Sequence, residues 1–281
     1  MGLLTSISAV FRTHPQRFSG TSAKPWLIVN QDGVDRINRP IISIRAVGSL
    51  QRGQCFYYYH SLRENSEEEV RDDRIGPGDL YVRVATTSKD LWRPELVFVW
   101  GRSQEKGTIP LALERLETPL ELSEDPAEGL VSVPIRRVTQ GRRDTMVHRL
   151  LLVLVTYDAP YAGTDDPLWL RVTTADGVAT HQVVTDTPQT DLEINSANIY
   201  ELPVERPFTR ADLMAEGAEV RLGIHGSDKW VPKKIFIMGL DQPEGRPERV
   251  VPLVRAHDPG PLSTDPTEGA PSLKLPLDAA E

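Results

Sequence analysis

Asp228-Lys229-Trp230-Val231-Pro232-Lys233-Lys234-Ile235-Phe236-Ile237-Met238-Gly239 occurs twice in this chain in recognisable form. The earlier copy reads Asp90-Leu91-Trp92-Arg93-Pro94-Glu95-Leu96-Val97-Phe98-Val99-Trp100-Gly101. Each copy sets an acid, a Trp two places on and a Pro two further, then an apolar run that stops at Gly. A β-branched and aromatic run that opens at Pro and closes at Gly is a strand signal. Trp92 and Trp230 are read as large apolar plugs and Pro94 and Pro232 as strand starts, so all four are assigned structural roles.

Three further blocks recur around this one, in the same order. Gly20-Thr21-Ser22-Ala23-Lys24-Pro25-Trp26-Leu27-Ile28-Val29 aligns with Gly163-Thr164-Asp165-Asp166-Pro167-Leu168-Trp169-Leu170-Arg171-Val172. Leu80 to Val84 aligns with Glu219 to Ile224, and Asp125-Pro126-Ala127-Glu128-Gly129 with Asp265-Pro266-Thr267-Glu268-Gly269. The offsets are 143 from Trp26 to Trp169, 138 from Trp92 to Trp230 and 140 from Asp125 to Asp265. Four ordered blocks at a nearly constant offset predict a duplicated unit of about 140 residues, an ordinary domain size. The expected division is a first sandwich over 1–137, a polar linker over 138–146 and a second sandwich over 147–256. The remaining 257–281 is expected to be a Pro-rich arm on a surface, the counterpart of 115–137. Short strands between regular turn signals make the fold class all-β: two tandem antiparallel β-sandwiches with few short helices. Trp26 and Trp169 are expected in the cores. The aromatic run Phe56 to Tyr59 is read as alternating between core and strand face. Arg63 to Arg74 is read as a solvated acidic loop, and Thr209 to Gly217 as a short helical turn capped by Thr209 and stopped by Gly217.

Composition narrows the function classes. With 281 residues and 39% hydrophobic content there is material for a sizeable core. A net charge of −8 argues against a sequence-independent nucleic-acid binder, which needs a cationic field. A single Cys, Cys55, rules out an internal disulfide framework and a thiolate-rich metal site. The aliphatic run Leu150 to Val155 is too short for a helical span, and no secretory leader is evident, so a cytoplasmic location or a cytoplasmic assembly is expected. The start Met1-Gly2-Leu3-Leu4-Thr5-Ser6 fits a loose lipidation pattern, and equally an ordinary start.

In the second repeat, Ala162-Gly163-Thr164-Asp165-Asp166 precedes the strand Leu168 to Thr173, and Thr190-Asp191-Leu192-Glu193 precedes the strand Asn198-Ile199-Tyr200. Ser227-Asp228-Lys229-Trp230 follows. In order and spacing this segment, from Leu150 to about Gly239, resembles a PLAT domain, the β-sandwich module also found at the N-terminus of animal lipoxygenases. The resemblance implies a Ca2+ site at one edge of the sandwich. Its ligands would come from Asp165, Asp191 or Glu193, and Asp228, with carbonyls of Gly163 and Thr190 and with Thr164 and Asp166 in the same loops. Oxygen-rich loops suit the six to eight ligands Ca2+ takes. Thr190 stands in place of the family's amide and Lys229 in place of an acid. Acids at loop starts also form turns by bonding their own backbone. Tyr161, just before the Gly-Thr-Asp loop, is the candidate contact with lipid or protein. In the first repeat Ser22-Ala23 replaces the acidic pair and Asp90 alone remains, so no metal is expected there.

No G-x-S-x-G, H-E-x-x-H, G-x-G-x-x-G or phosphate-binding loop is present, and the six His lie without ligand spacing. Asp165-Asp166 has no visible catalytic partner. The chain is therefore read as non-enzymatic. The leading expectation is a binding or targeting protein that recruits to a membrane surface or a protein partner, with Ca2+ ordering the second domain. The alternative is a structural adaptor in a larger assembly, docking through the sandwiches and the Pro-rich arm. A carbohydrate-binding sandwich is a third reading, for which only exposed aromatics speak.

Overall fold

The Trp–Pro–apolar motifs form matching corners in a computed structural model that describes residues 2–15, 24–40, 53–62, 69–85, 91–116, 120–123, 125–184, 192–244 and 246–278. The chain divides into two compact units, Met1–Val138 and Thr139–Ala279. The first contains β1 (Leu4–Thr13), β2 (Lys24–Gln31), β3 (Val34–Pro40), β4 (Cys55–Ser61), β5 (Leu80–Ala85), β6 (Pro94–Ser103), β7 (Gly107–Arg115) and β8 (Ser132–Pro134). The second contains β9 (Thr139–Gln140), β10 (Met146–Thr156), β11 (Leu168–Thr174), β12 (Gly177–Val183), β13 (Ala197–Thr209), β14 (Glu219–Ile224), β15 (Pro232–Asp241), β16 (Arg249–His257) and β17 (Ser272–Lys274).

The first unit stacks strands in the order β7-β6-β1-β4 over β3-β2-β5-β8, and the second stacks β16-β15-β10-β13 over β12-β11-β14-β17. The order is the same strand for strand, and the pairings within these four layers are antiparallel. The fold is therefore all-β and sandwich-like. Each core is made where two layers meet. Ile7, Ala9, Val97 and Val99 face Leu27, Val29 and Leu80 in the first unit; Leu150, Leu152 and Ile237 face Leu168, Leu170 and Leu222 in the second. Alternate residues of each small-sheet strand supply this face, as a period of two requires.

The corners coincide in hydrogen bonding as well. Trp92 and Trp230 are fully buried, and each indole N–H donates to a Thr hydroxyl: Thr13 at 3.1 Å and Thr156 at 3.0 Å. The polar handle of a buried indole needs such a partner. Trp92 bridges Leu122, and Trp230 bridges Leu262. Downstream, the Asp125 and Asp265 carboxylates accept from the backbone N–H of Ala127 and Thr267 at 2.9 and 2.8 Å. Pro94 and Pro232 begin β6 and β15 and are buried.

Several expectations need correction. Of the expected arm over 257–281, residues 279–281 lie outside the described residues, and 257–278 do not lie loose on a surface: β17 pairs with β14, Leu262 and Leu275 are buried, and Leu277 bridges Val254. Without them β14 would have an open edge and the second core would lose Leu275. The expected linker 138–146 belongs to the second unit for the most part. β9 pairs in parallel with β16, the Gly141 N–H donates to the Val250 carbonyl at 2.9 Å, and Met146 already begins β10. Trp169 is half-buried on the outer face of its sheet, and Trp26 is likewise half-buried and outside the core cluster. In the acidic stretch, 63–68 lies outside the described residues, but Val70 and Ile75 are core and Asp72 is buried. The Asp72 carboxylate accepts from the Gly2 backbone N–H at 2.7 Å and from Lys106 at 2.7 Å.

The aromatic run alternates as read. Phe56 and Tyr58 pack into the core, while Tyr59 is exposed. Ala211–Met214 forms a short 3-10 turn in which the Asp212 N–H donates to the Thr209 hydroxyl at 3.3 Å, with Gly217 left-handed at φ +81°. Among the described residues no helix is long and apolar enough to cross a membrane.

Candidate functional site

Three loops at one end of the second unit converge because their backbones are stitched together. The loop that leads into β11 carries Ala162 to Asp166. Its Ala162 carbonyl accepts from the Val231 N–H at 2.9 Å, which ties it to the start of β15. Gly163 lies against the 192–194 segment so closely that a Cβ there would stand 2.8 Å from the Leu192 carbonyl oxygen. Only glycine permits this approach.

Within the loop, the Asp166 N–H donates to the Thr164 hydroxyl at 3.0 Å. The Asp166 carboxylate turns inward over Gly226 and accepts from the Asp228 N–H at 2.7 Å. The Asp228 carboxylate in turn accepts from the Asp165 N–H at 3.4 Å. Asp166 is thus a brace that sets Asp228 in place, while Asp165 and Asp228 keep exposed carboxylates.

These contacts shape an open cleft of about 510 Å³ lined by Pro160, Tyr161, Gly163, Thr164, Asp165, Glu193, Ile194 and Asp228. Of the residues singled out from sequence, Tyr161, Gly163, Thr164, Asp165, Glu193 and Asp228 share this cleft, and Asp166 supports it from behind. Thr190 and Asp191 lie outside the described residues, as does Asp90 of the first unit. Ile194 and Pro160 were not anticipated. The signal for Ile194 was its place as an exposed apolar residue in the polar turn Glu193-Ile194-Asn195-Ser196.

Among the described residues that line the cleft, the charged donors are three carboxylates, with no sulfur or imidazole. Such a set fits a hard cation such as Ca2+. Among the described residues, no three His, Cys, Asp or Glu are gathered tightly enough to hold a metal by themselves.

Two further features mark this edge. Tyr161 is 84% exposed and Ile194 47% exposed, so two large apolar side chains flank the acids. Five non-glycine residues among those described adopt left-handed φ, and three of them, Tyr161 (61°), Leu192 (30°) and Asn195 (58°), belong to these loops. Such backbone costs energy and gathers at functional sites. The loop base is pinned by Tyr157. Its carbonyl accepts from the Asn195 N–H at 3.1 Å, and its hydroxyl donates to Asp258 at 2.5 Å. The bond to Asp258 raises the Tyr157 hydroxyl above its ordinary pKa.

No family model matches the chain, and no curated protein matches it. Solved structures with local similarity include Clostridium perfringens alpha-toxin from an avian strain (16% identity, TM-score 0.37, 48% of this chain and 33% of that one). The alpha toxin of Clostridium absonum matches at 18% identity and TM-score 0.38, over 48% of this chain and 33% of the toxin. The Delta413-417:GS variant of LOX matches at 15% identity and TM-score 0.30, over 47% of this chain and 16% of the other. Each similarity spans about half of this chain and a third or less of the neighbour's length.

Proposed function

We propose that this chain is a tandem of PLAT-like sandwiches that acts as a non-enzymatic binding protein, recruiting to a lipid surface through the loop edge of its second unit, with Ca2+ as the switch. The observation that carries this reading is the cleft itself: Asp165, Glu193 and Asp228 present exposed carboxylates between the apolar tips Tyr161 and Ile194. Alone, three carboxylates repel an anionic membrane and hold the tips away from it. A divalent cation held by Asp165, Glu193 and Asp228 supplies positive charge that cancels this repulsion and bridges to headgroup oxygens. The tips then enter the interfacial region, where aromatic side chains are favoured. The close approach at Gly163 holds the 162–166 loop beside 192–194, which brings the two loops to one edge.

The test is co-sedimentation with vesicles of phosphatidylcholine mixed with phosphatidylserine, in calcium and in EGTA. The wild type binds more tightly in calcium. Asp165→Ala abolishes this calcium increment, and Tyr161→Ala weakens calcium-dependent binding about tenfold through lost apolar burial. A calcium increment of zero in the wild type overturns the reading. Absence of vesicle binding under every condition favours an adaptor role instead.

A further inference from the structure

The outer face of the sheet β12-β11-β14-β17 carries a second feature that the loop edge does not use. The register sets Arg171 opposite His181 on one side and opposite Arg221 on the other, and sets Arg221 opposite Lys274. Residues directly opposite one another project from the same face of a sheet. His181, Arg171, Arg221 and Lys274 therefore form one row across four strands. At strand spacings near 4.8 Å the row is about 14 Å long.

Like charges in directly opposed positions disfavour strand pairing, so the pairings Arg171–Arg221 and Arg221–Lys274 form against that repulsion. Its neutralisation is slight. Glu219 reaches Arg221 at 3.4 Å, and the Glu205 carboxylate accepts from the His181 backbone N–H at 3.4 Å. Among the described residues Arg171 and Lys274 have no ion pair, and both are exposed. This cationic row stands out in a chain of net charge −8.

Its place in the unit gives it a meaning. β11 begins at Leu168, directly after the Asp165-Asp166 loop, and β14 ends at Ile224, directly before Gly226 to Asp228. Trp169, whose indole occupies the space above Gly223, is therefore the outward residue of β11 nearest the acidic edge, with the exposed His225 beside it. Arg171 lies two residues further along, about 6.6 Å at the usual strand rise. When Tyr161 and Ile194 enter a bilayer with the strands along its normal, a row perpendicular to the strands lies at one depth. Trp169 then sits nearer the interface, and the cations lie level with the headgroup phosphates.

We infer that Arg171, Arg221 and Lys274, with the His181 imidazole at the end of their row, form a calcium-independent belt for anionic phospholipid headgroups. This rests on the lipid-surface reading above and names the lipid class. Planar arrays of phosphate complement a flat cationic row, and each Lys or Arg near an anionic leaflet strengthens binding about fivefold.

The experiment uses the full chain with vesicles of phosphatidylcholine alone and of phosphatidylcholine mixed with phosphatidylserine, in EGTA at low ionic strength. The wild type prefers the phosphatidylserine vesicles, and added salt erases the preference. The doubly substituted Arg171→Gln/Lys274→Gln protein loses about 25-fold in affinity for them, two charges at about fivefold each, while its calcium increment is unchanged. An unchanged melting temperature shows that it folds; should it melt early, the single Lys274→Gln variant is measured in its place, with about a fivefold loss expected. The inference is overturned if the wild type in EGTA shows no preference for phosphatidylserine, if the substituted proteins retain it, or if soluble polyglutamate competes as well as the vesicles do. A zero calcium increment with the EGTA preference intact sinks the loop mechanism and leaves this belt standing.

Discussion

Gly163 shows how a single residue decides whether the site exists. The backbone of 192–194 occupies the place where its Cβ would be, at 2.8 Å from the Leu192 oxygen and 3.2 Å from the Ile194 nitrogen. Both obstacles are main chain and cannot rotate away. Gly163→Ala is expected to part the two loops, to cost about 1–3 kcal/mol as overpacking does, and to remove the calcium increment in vesicle binding. Urea titration and co-sedimentation of the same sample check both. Asp72 is the corresponding case in the first unit. Burial pushes its carboxyl pKa up, but hydrogen bonds from Lys106 and Gly2 and the Lys106 charge outweigh this and hold it below the ordinary 3.8. A carboxyl with a depressed folded pKa gives stability that is complete above its unfolded value and is lost as pH falls through the folded one. Wild-type stability should therefore decline as pH drops below about 3.8. Asp72→Asn should cost about 2 kcal/mol at neutral pH and flatten that acid dependence, as read from urea midpoints across pH.

At the level of elements, the decisive finding is that β17 closes a sheet. The Leu275 N–H donates to the Val220 carbonyl at 2.8 Å, and the Ile135 N–H makes the same bond to Leu80 at 2.8 Å. Leu275 and Ile135 are both buried beside these bonds. Leu275→Ala should destabilise the second unit by about 2–5 kcal/mol, and Ile135→Ala the first by a similar amount, measured by denaturant unfolding. A loose arm would show no such cost. The tail was misread because β17 is only three residues long, flanked by Pro271 and Pro276. A three-residue strand carries too little period to be told from an extended linker, and its pairing partner lies some fifty residues away in the chain.

For the whole molecule, two units with the same strand order carry different acids on corresponding loops. Ser22-Ala23 stands where Asp165-Asp166 stands. Calcium should therefore stabilise the second unit alone. At 100 times its dissociation constant a ligand that binds only the folded state adds about 2.7 kcal/mol. Calorimetry in calcium and in EGTA should show one transition move and the other stay. Asp165→Ala/Asp228→Ala should abolish the movement. Movement that survives the double substitution would place the ion elsewhere.

The sequence by itself determined the fold class, all-β with antiparallel strands, because its evidence is local and was written twice. The Trp92 and Trp230 motifs, the alternating strands and the turn acids specify elements through propensity and period, and each repeat checks the other. The resemblance to a PLAT domain pointed to Tyr161, Asp165, Glu193 and Asp228, and these four line one cleft. The tertiary structure alone decided that Asp166 braces rather than presents its carboxylate, that Trp169 faces outward over Gly223, and that the tail is a strand. It alone aligned Arg171 with His181, Arg221 and Lys274. Those facts depend on strand register, and register is fixed by which apolar faces can share a core, a choice made between segments a hundred residues apart rather than within any one of them.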